Sequence, residues 1–536
     1  MIRTIKQAGK AIAAMTVLLS AAVSANASTL NNASTLNNPV TLNIAYDSDP
    51  VSLDPHEQLS SGTLQMSHLV FDPLVRWGAD LQFKPRLAES WEQINDKTMR
   101  FTLRKGVTFH SGNPLTTADV KWTFDRLMNS PDFKAIFESF VDLKVIDNYR
   151  FDLITKTAFP LVLNSAAYIF PMDSKFYSGL DDKGQDKGLL KKHGETFASR
   201  SASGTGPYIV TERQQGVRVE FKRFPNYWDK QSPGNVTNIV LTPIKEGPTR
   251  VAALLSGDVD FIYPVPPNDH VLIDRSAQAD LVTLGGTRLI HLQLNQNRVA
   301  AFKDKRVRQA VDYAINNAGI VEKIMKGFAT PAGQQSPKGY VGHVEALKPR
   351  YDLKKAKALM KEAGYEKGFS VTMLAPNNRY INDAKIAQAV AAMLAKIDIK
   401  VDLRTIPKAQ YWPEFDARSA DIMMIGWHSD TEDSANFTEY LTACADKKTG
   451  WGQYNSGGYC NPEVDNLVKA AGKETNSAKR ARLLQDVERI LHDDAAIIPL
   501  HWENLAWGAS KAFAAKDVVN IMNMPYLGDA VMKTKN

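Results

Sequence analysis

Residues 426–437 read GWHSDTEDSANF, with three carboxylates (Asp430, Glu432, Asp433) and one histidine (His428) in twelve residues. Three chemistries use such a set: a metal site, a carboxylate acid–base pair, or a seat for a cationic ligand. A glycosidase needs two carboxylates at a fixed separation, which a sequence does not supply. A metal site wants further ligands, yet none of the ten histidines shows HxH or HxxxH spacing. HExxH, Walker A, GxGxxG and GxSxG are all absent. The composition of the loop alone therefore leaves the choice among the three open.

The elements around the loop narrow it. The apolar run ADIMMI (420–425) reads as a buried strand that opens into the polar loop, a common setting for function. The folded body starts at VTLNIAY (40–46), an alternating strand pattern. FTLRKGVTFH (101–110) alternates too, SGNP is turn chemistry, and Thr116-x-x-Asp119 resembles a capping box before a helix with Val120, Phe124 and Leu127 on one face. GTGPYIV (204–210), VRVEFKRF (217–224) and VTNIVLTPI (236–244) read as strands, followed by the helix TRVAALLSG and the strand VDFIYPV. A second series begins near 290: strand IHLQLN, helix RVRQAVDYAI, then LKKAKALMKEA capped by Asp352 and ended by Gly364. FSVTMLAP, IKVDLRTIP and AIIPLHW (496–502) complete its strands, with DAKIAQAVAAMLAKI and a helix through 483–491 between them. Alternating strands and helices predict α/β architecture in two lobes, with crossings near 293–298 and 499–508. Ligands of such folds bind between lobes at the carboxyl ends of strands, where the 426–437 loop falls.

At 536 residues the chain exceeds one ordinary core. Apolar content of 44% and charged content of 23% describe a globular protein. The formal charge is +7; Arg3, Lys6 and Lys10 lie in the first 27 residues, which hold no acid, and without them the balance is +4. So mild a charge predicts neither nucleic acid nor a membrane surface as partner. The basic start, the apolar run 11–25 and Ala25-Asn26-Ala27 predict a signal peptide cut after Ala27, and the run falls short of the ~20 residues that span a bilayer. ASTLNNASTLNN (27–38) is a polar unit repeated once, read as a flexible leader over 28–39. Export implies an oxidising compartment. Cys444 and Cys460 are the only cysteines, so one local disulfide is the default; a redox pair would show CxxC spacing, and a zinc site would want a histidine between them.

LAESWEQINDKTMRFTLRKGVTFHSGNPLTTADVKWTFDRL (87–127) closely resembles the signature region of the family 5 bacterial extracellular solute-binding proteins of ABC importers. SLDPH (52–56), GTGPY (204–208), NYWDK (226–230), RVRQAVDYAIN (306–316), YDLKKAKALMKEAGY (351–365) and the GW-x-x-D loop (426–430) fit it in order. The resemblance implies an α/β, two-lobed periplasmic-binding-protein fold that closes on its ligand. Lobe 1 would comprise residues 40–293 plus 508–536, with an extra subdomain around 80–200, and lobe 2 residues 294–507.

The resemblance also assigns roles. Asp430 takes the ammonium of a peptide, a charge-assisted bond. Arg379, in APNNRYIND, takes the peptide carboxylate with its guanidinium fork, with Tyr380 beside it. Gly426 and His428 offer backbone groups to an extended ligand. Trp427 lines the crevice or packs in the core, and Ser60 and Ser61 contact ligand through backbone. The implied protein is a monomer without cofactor or metal, and does no covalent chemistry. It delivers di- to oligopeptides to an inner-membrane permease. Asp433-Ser434-Ala435 stands where several peptide binders carry a proline. A nickel chelate, opine, glutathione or oligosaccharide thus stays open as ligand, and a hydrolase using the acidic loop as a remote alternative.

Overall fold

The computed structural model describes residues 39–533 apart from 50, 51, 192–194, 430, 447 and 449. Residues 1–38, read above as signal peptide and leader, and Asp430 lie outside the described residues.

Two large mixed sheets dominate the described residues. The first has seven strands in the order Ala279–Leu284, Leu505–Ser510, Phe261–Tyr263, Thr41–Tyr46, Asn238–Pro243, Arg218–Arg223 and Tyr208–Gln214. Thr41–Tyr46 runs parallel to both its neighbours, and Leu505–Ser510 antiparallel to both of its own. The second has six: Ala329–Pro331, Ile498–Glu503, Leu289–Leu294, Ile422–Trp427, Phe369–Pro376 and Ile399–Ile406. A four-stranded antiparallel sheet within 88–155 stands apart from both and carries the helix Thr117–Leu127 against its strand Phe140–Asp147.

Local chemistry fixes the element ends. Thr116 and Asp119 form the reciprocal capping box, and Asp352 accepts from the Lys355 amide at 3.0 Å. The strand expected over 101–110 stops at Leu103, because Gly106 turns the chain at φ +76°. GTGPYIV yields a strand only from Tyr208, since Gly204 and Gly206 lie against the Val70 backbone too closely for any Cβ. Apolar alternation builds the cores. Ile290, Leu292, Val311, Ile386, Val390, Ile422, Met424 and Ile498 pack under the second sheet, and Val251, Leu254, Ile262 and Val265 under the first.

The chain passes between the large sheets twice: at 285–288, between Ala279–Leu284 and Leu289–Leu294, and at Asn504, between Ile498–Glu503 and Leu505–Ser510. Leu81, Leu289, Tyr340, Phe437 and Trp502 form one buried cluster there. No helix among the described residues is long and apolar enough to cross a membrane.

Candidate functional site

A cavity of about 430 Å³ opens at these crossings. Asp47, Tyr263 and Val265 reach it from the carboxyl ends of two strands of the first sheet. Arg379, Tyr380, His428 and Glu432 reach it from beyond the carboxyl ends of two strands of the second. Arg288, Glu503 and Asn504 come from the crossings themselves. This is where open α/β sheets expose their loops to a ligand.

The 426–437 loop is built from its backbone outward. At Gly426 a Cβ would come within 2.6 Å of both Ile290 and the Tyr380 ring, and the Tyr380 hydroxyl donates to the Gly426 carbonyl at 3.4 Å. Buried Ser429 accepts from the amides of Thr431 (3.2 Å) and Asp433 (3.1 Å). Asp433 caps the helix Ser434–Leu441 and forks onto Arg480 at 2.5 and 2.9 Å, both side chains buried. That acid is consumed by the fold. Glu432 is the contrast: its backbone is left-handed (φ +51°), it is 9% exposed, and its Oε2 has no hydrogen-bond partner among the described residues. Burial alone pushes its carboxyl well above the usual range.

Arg379 follows the strand Phe369–Pro376. Its amide and that of Tyr380 both donate to Asp383 Oδ2, at 2.8 and 3.0 Å, which pins the loop to the helix Asp383–Leu394. The guanidinium lies 4.9 Å over the Tyr380 ring, and its buried Nε has no partner among the described residues. Arg288 pairs with Glu503 at 3.3 Å, and Glu503 also accepts from the Ile381 amide at 3.2 Å. His428 lines the cavity and is exposed to it; desolvation by the surrounding loops, then Arg288 and Arg379, lower its pKa.

The structure thus brings Arg379, Tyr380 and His428 to one cavity, with Gly426 behind the Tyr380 ring. Trp427 belongs to the packing: its Nε1 donates to Asn436 Oδ1 at 2.9 Å, and its ring rests on Tyr440 and Tyr454. Ser60 occupies the N-cap position of the helix Ser61–Val70, its hydroxyl bonded to Gln58 and Thr63, outside the cavity wall; Ser61 is the first residue of that helix. Cys444 and Cys460 form the disulfide. Arg288 and Glu503 were missed from sequence, and only their place beside strands at the crossings could have signalled them. Among the described residues, no group of three His, Cys, Asp or Glu side chains could hold a metal ion.

Two mixed sheets, two crossing segments and a cavity between them define a two-lobed solute-binding protein. The family described as "Bacterial extracellular solute-binding proteins, family 5 Middle" matches residues 82–449. The chain belongs to that family. It is 26% identical over 480 residues to the glutathione-binding protein GsiB of Salmonella choleraesuis, covering 87% of this chain and 90% of that one. Its fold is similar to that of HbpA2 from Haemophilus parasuis, with a TM-score of 0.81 and 22% identity over 92% of this chain and all of that one. It is also similar to the ABC transporter-associated periplasmic binding protein DppA from Helicobacter pylori in complex with the peptide STSA, at TM-score 0.71, 22% identity and 92% and 98% coverage.

Proposed function

We propose that this chain is the periplasmic solute-binding component of an ABC importer, holding short peptides in the cavity at the crossings and delivering them to an inner-membrane permease. One observation carries the peptide reading: Arg379 presents a guanidinium in the cavity with a buried Nε that nothing described in the protein satisfies. A terminal carboxylate suits it. Asp430 takes the peptide ammonium, Gly426 and His428 offer backbone groups, and Ser60 and Ser61 lie beyond the immediate wall. The protein acts as a monomer without covalent chemistry, and residues 1–27 export it. Strand membership supports the division into lobes 40–293 plus 508–536 and 294–507, with both cuts a few residues earlier, at 285–288 and 504. The relatives named for glutathione favour a second reading, a γ-linked tripeptide in the same cavity.

Native mass spectrometry of protein purified from the periplasm, followed by gentle denaturation, tests this. A ladder of peptides of about two to five residues is expected, as strand-addition binding allows; glutathione alone would favour the second reading, and a nickel complex or sugar would remove both. Calorimetry with the recovered peptide then checks the two ends. Asp430→Ala and Arg379→Ala should each weaken binding by ~2–5 kcal/mol, since each leaves a buried charge unanswered.

A further inference from the structure

We infer that Glu432 receives a positively charged side chain of the ligand, making this a site for peptides that carry a basic residue in addition to their terminal ammonium. The inference rests on the peptide reading above and extends it to a substrate class.

The other described acids near the cavity are satisfied by the protein or by water. Asp433 is forked by Arg480, Asp383 accepts two amides, and Glu503 holds Arg288 and the Ile381 amide. Asp47 is exposed and accepts from Ser48. Glu432 alone among these stands in the cavity wall more than nine-tenths buried with a carboxyl oxygen unanswered. An unpaired buried carboxyl is costly, and a fold keeps one where something arriving later completes it.

The charge layout says what arrives. Arg288 and Arg379 both act on His428. Arg288 is held by Glu503 and Arg379 lies over the Tyr380 ring, and among the described residues Glu432 Oε2 takes a hydrogen bond from neither. The cavity wall therefore holds both arginines and, at Glu432, an acceptor oxygen that neither of them answers. A neutral donor would give Glu432 one ordinary hydrogen bond. An ammonium or guanidinium gives a charge-assisted one and turns the buried acid into an ion pair, the stronger answer. The left-handed backbone at Glu432 would be relaxed with glycine, and the chain keeps a carboxylate there.

Calorimetry on the full chain with paired synthetic peptides tests this: Ala-Lys and Lys-Ala against the same peptides with the lysine Nε acetylated, and Ala-Ala. The wild type should bind at least one lysine peptide about tenfold tighter than its acetylated twin, the scale of one charge-assisted bond. In Glu432→Gln that ratio should fall to near unity, whatever the absolute affinities. Glu432→Gly, which suits the backbone, repeats the test should the Gln variant not fold. A wild type blind to acetylation, or a ratio that survives both variants, overturns the role of Glu432 and leaves the peptide reading standing. Binding of no dipeptide moves the same paired test to tri- and tetrapeptides with and without acetylated lysine; binding of none of those removes the peptide reading, and this inference with it.

Discussion

Asp433 and Glu432 adjoin in the chain and differ in every bond they make. Asp433 is locked to Arg480 with both charges out of water. Removing one partner strands the other, so Arg480→Ala should cost about 3–5 kcal/mol, read as a lower urea midpoint at unchanged slope. Glu488 shows the same physics by titration. Burial pushes it up from 4.5 to about 7, against the pull of the Gln335 and Ser336 amides that donate to it and favour the charged form. The folded state then binds a proton that the unfolded state releases near 4.5, so its contribution is full below that pH and lost as pH rises through about 7. Glu488→Gln should flatten the decline of stability between about pH 5 and 8, measured by urea titration at each pH. At this scale the sequence was half legible. Arg379 and Tyr380 could be named because a resemblance located their loop. Which acid of GWHSDTEDSANF would be used up by an arginine 47 residues onward could not, because that pairing exists only once the helix Ser477–Asp494 packs.

Elements with chemical punctuation were readable: Asp352 and Thr116 open their helices, and Gly257 and Gly364 follow theirs with positive φ. Failures came where alternation ran past a turn, as at Gly106, or where a strand carried no strand signal. LAWGAS (505–510) is such a strand. Its Gly508 looks like a breaker, yet it lets the core side chains pack close: a Cβ there would sit 2.6 Å from Leu254 and 2.8 Å from Ile262, and those side chains would have to shift. The disulfide closes a loop of sequence separation 16. Cys444→Ser/Cys460→Ser should lower stability by about 3 kcal/mol on the chain-entropy estimate, read by thermal unfolding with and without reductant.

Across the whole molecule, the two-lobed architecture was legible from alternating elements, while the contacts that hold one arrangement of it were not. Asn164, in the helix Val162–Ala166, donates to the Thr431 carbonyl at 2.5 Å, tying the region after the four-stranded sheet to the cavity loop. Asn164→Ala should shift the unliganded protein toward a more open form, seen as a larger radius of gyration by small-angle scattering. Peptide binding should weaken about fivefold, the worth of one hydrogen bond of ~1 kcal/mol.

The strand Leu505–Ser510 lies between Phe261–Tyr263 and Ala279–Leu284, hydrogen-bonded to both. Those two strands do not pair with one another, so the sheet begun by Thr41–Tyr46 stays split until the late strand arrives. The bridging strand begins at Leu505, long after Leu284 closes the second of the two strands that it joins. A chain that lacks the late strand carries open sheet edges there, the templates on which chains stick to one another. A chain cut before residue 505 should therefore aggregate where the full chain stays dispersed, a contrast read by light scattering.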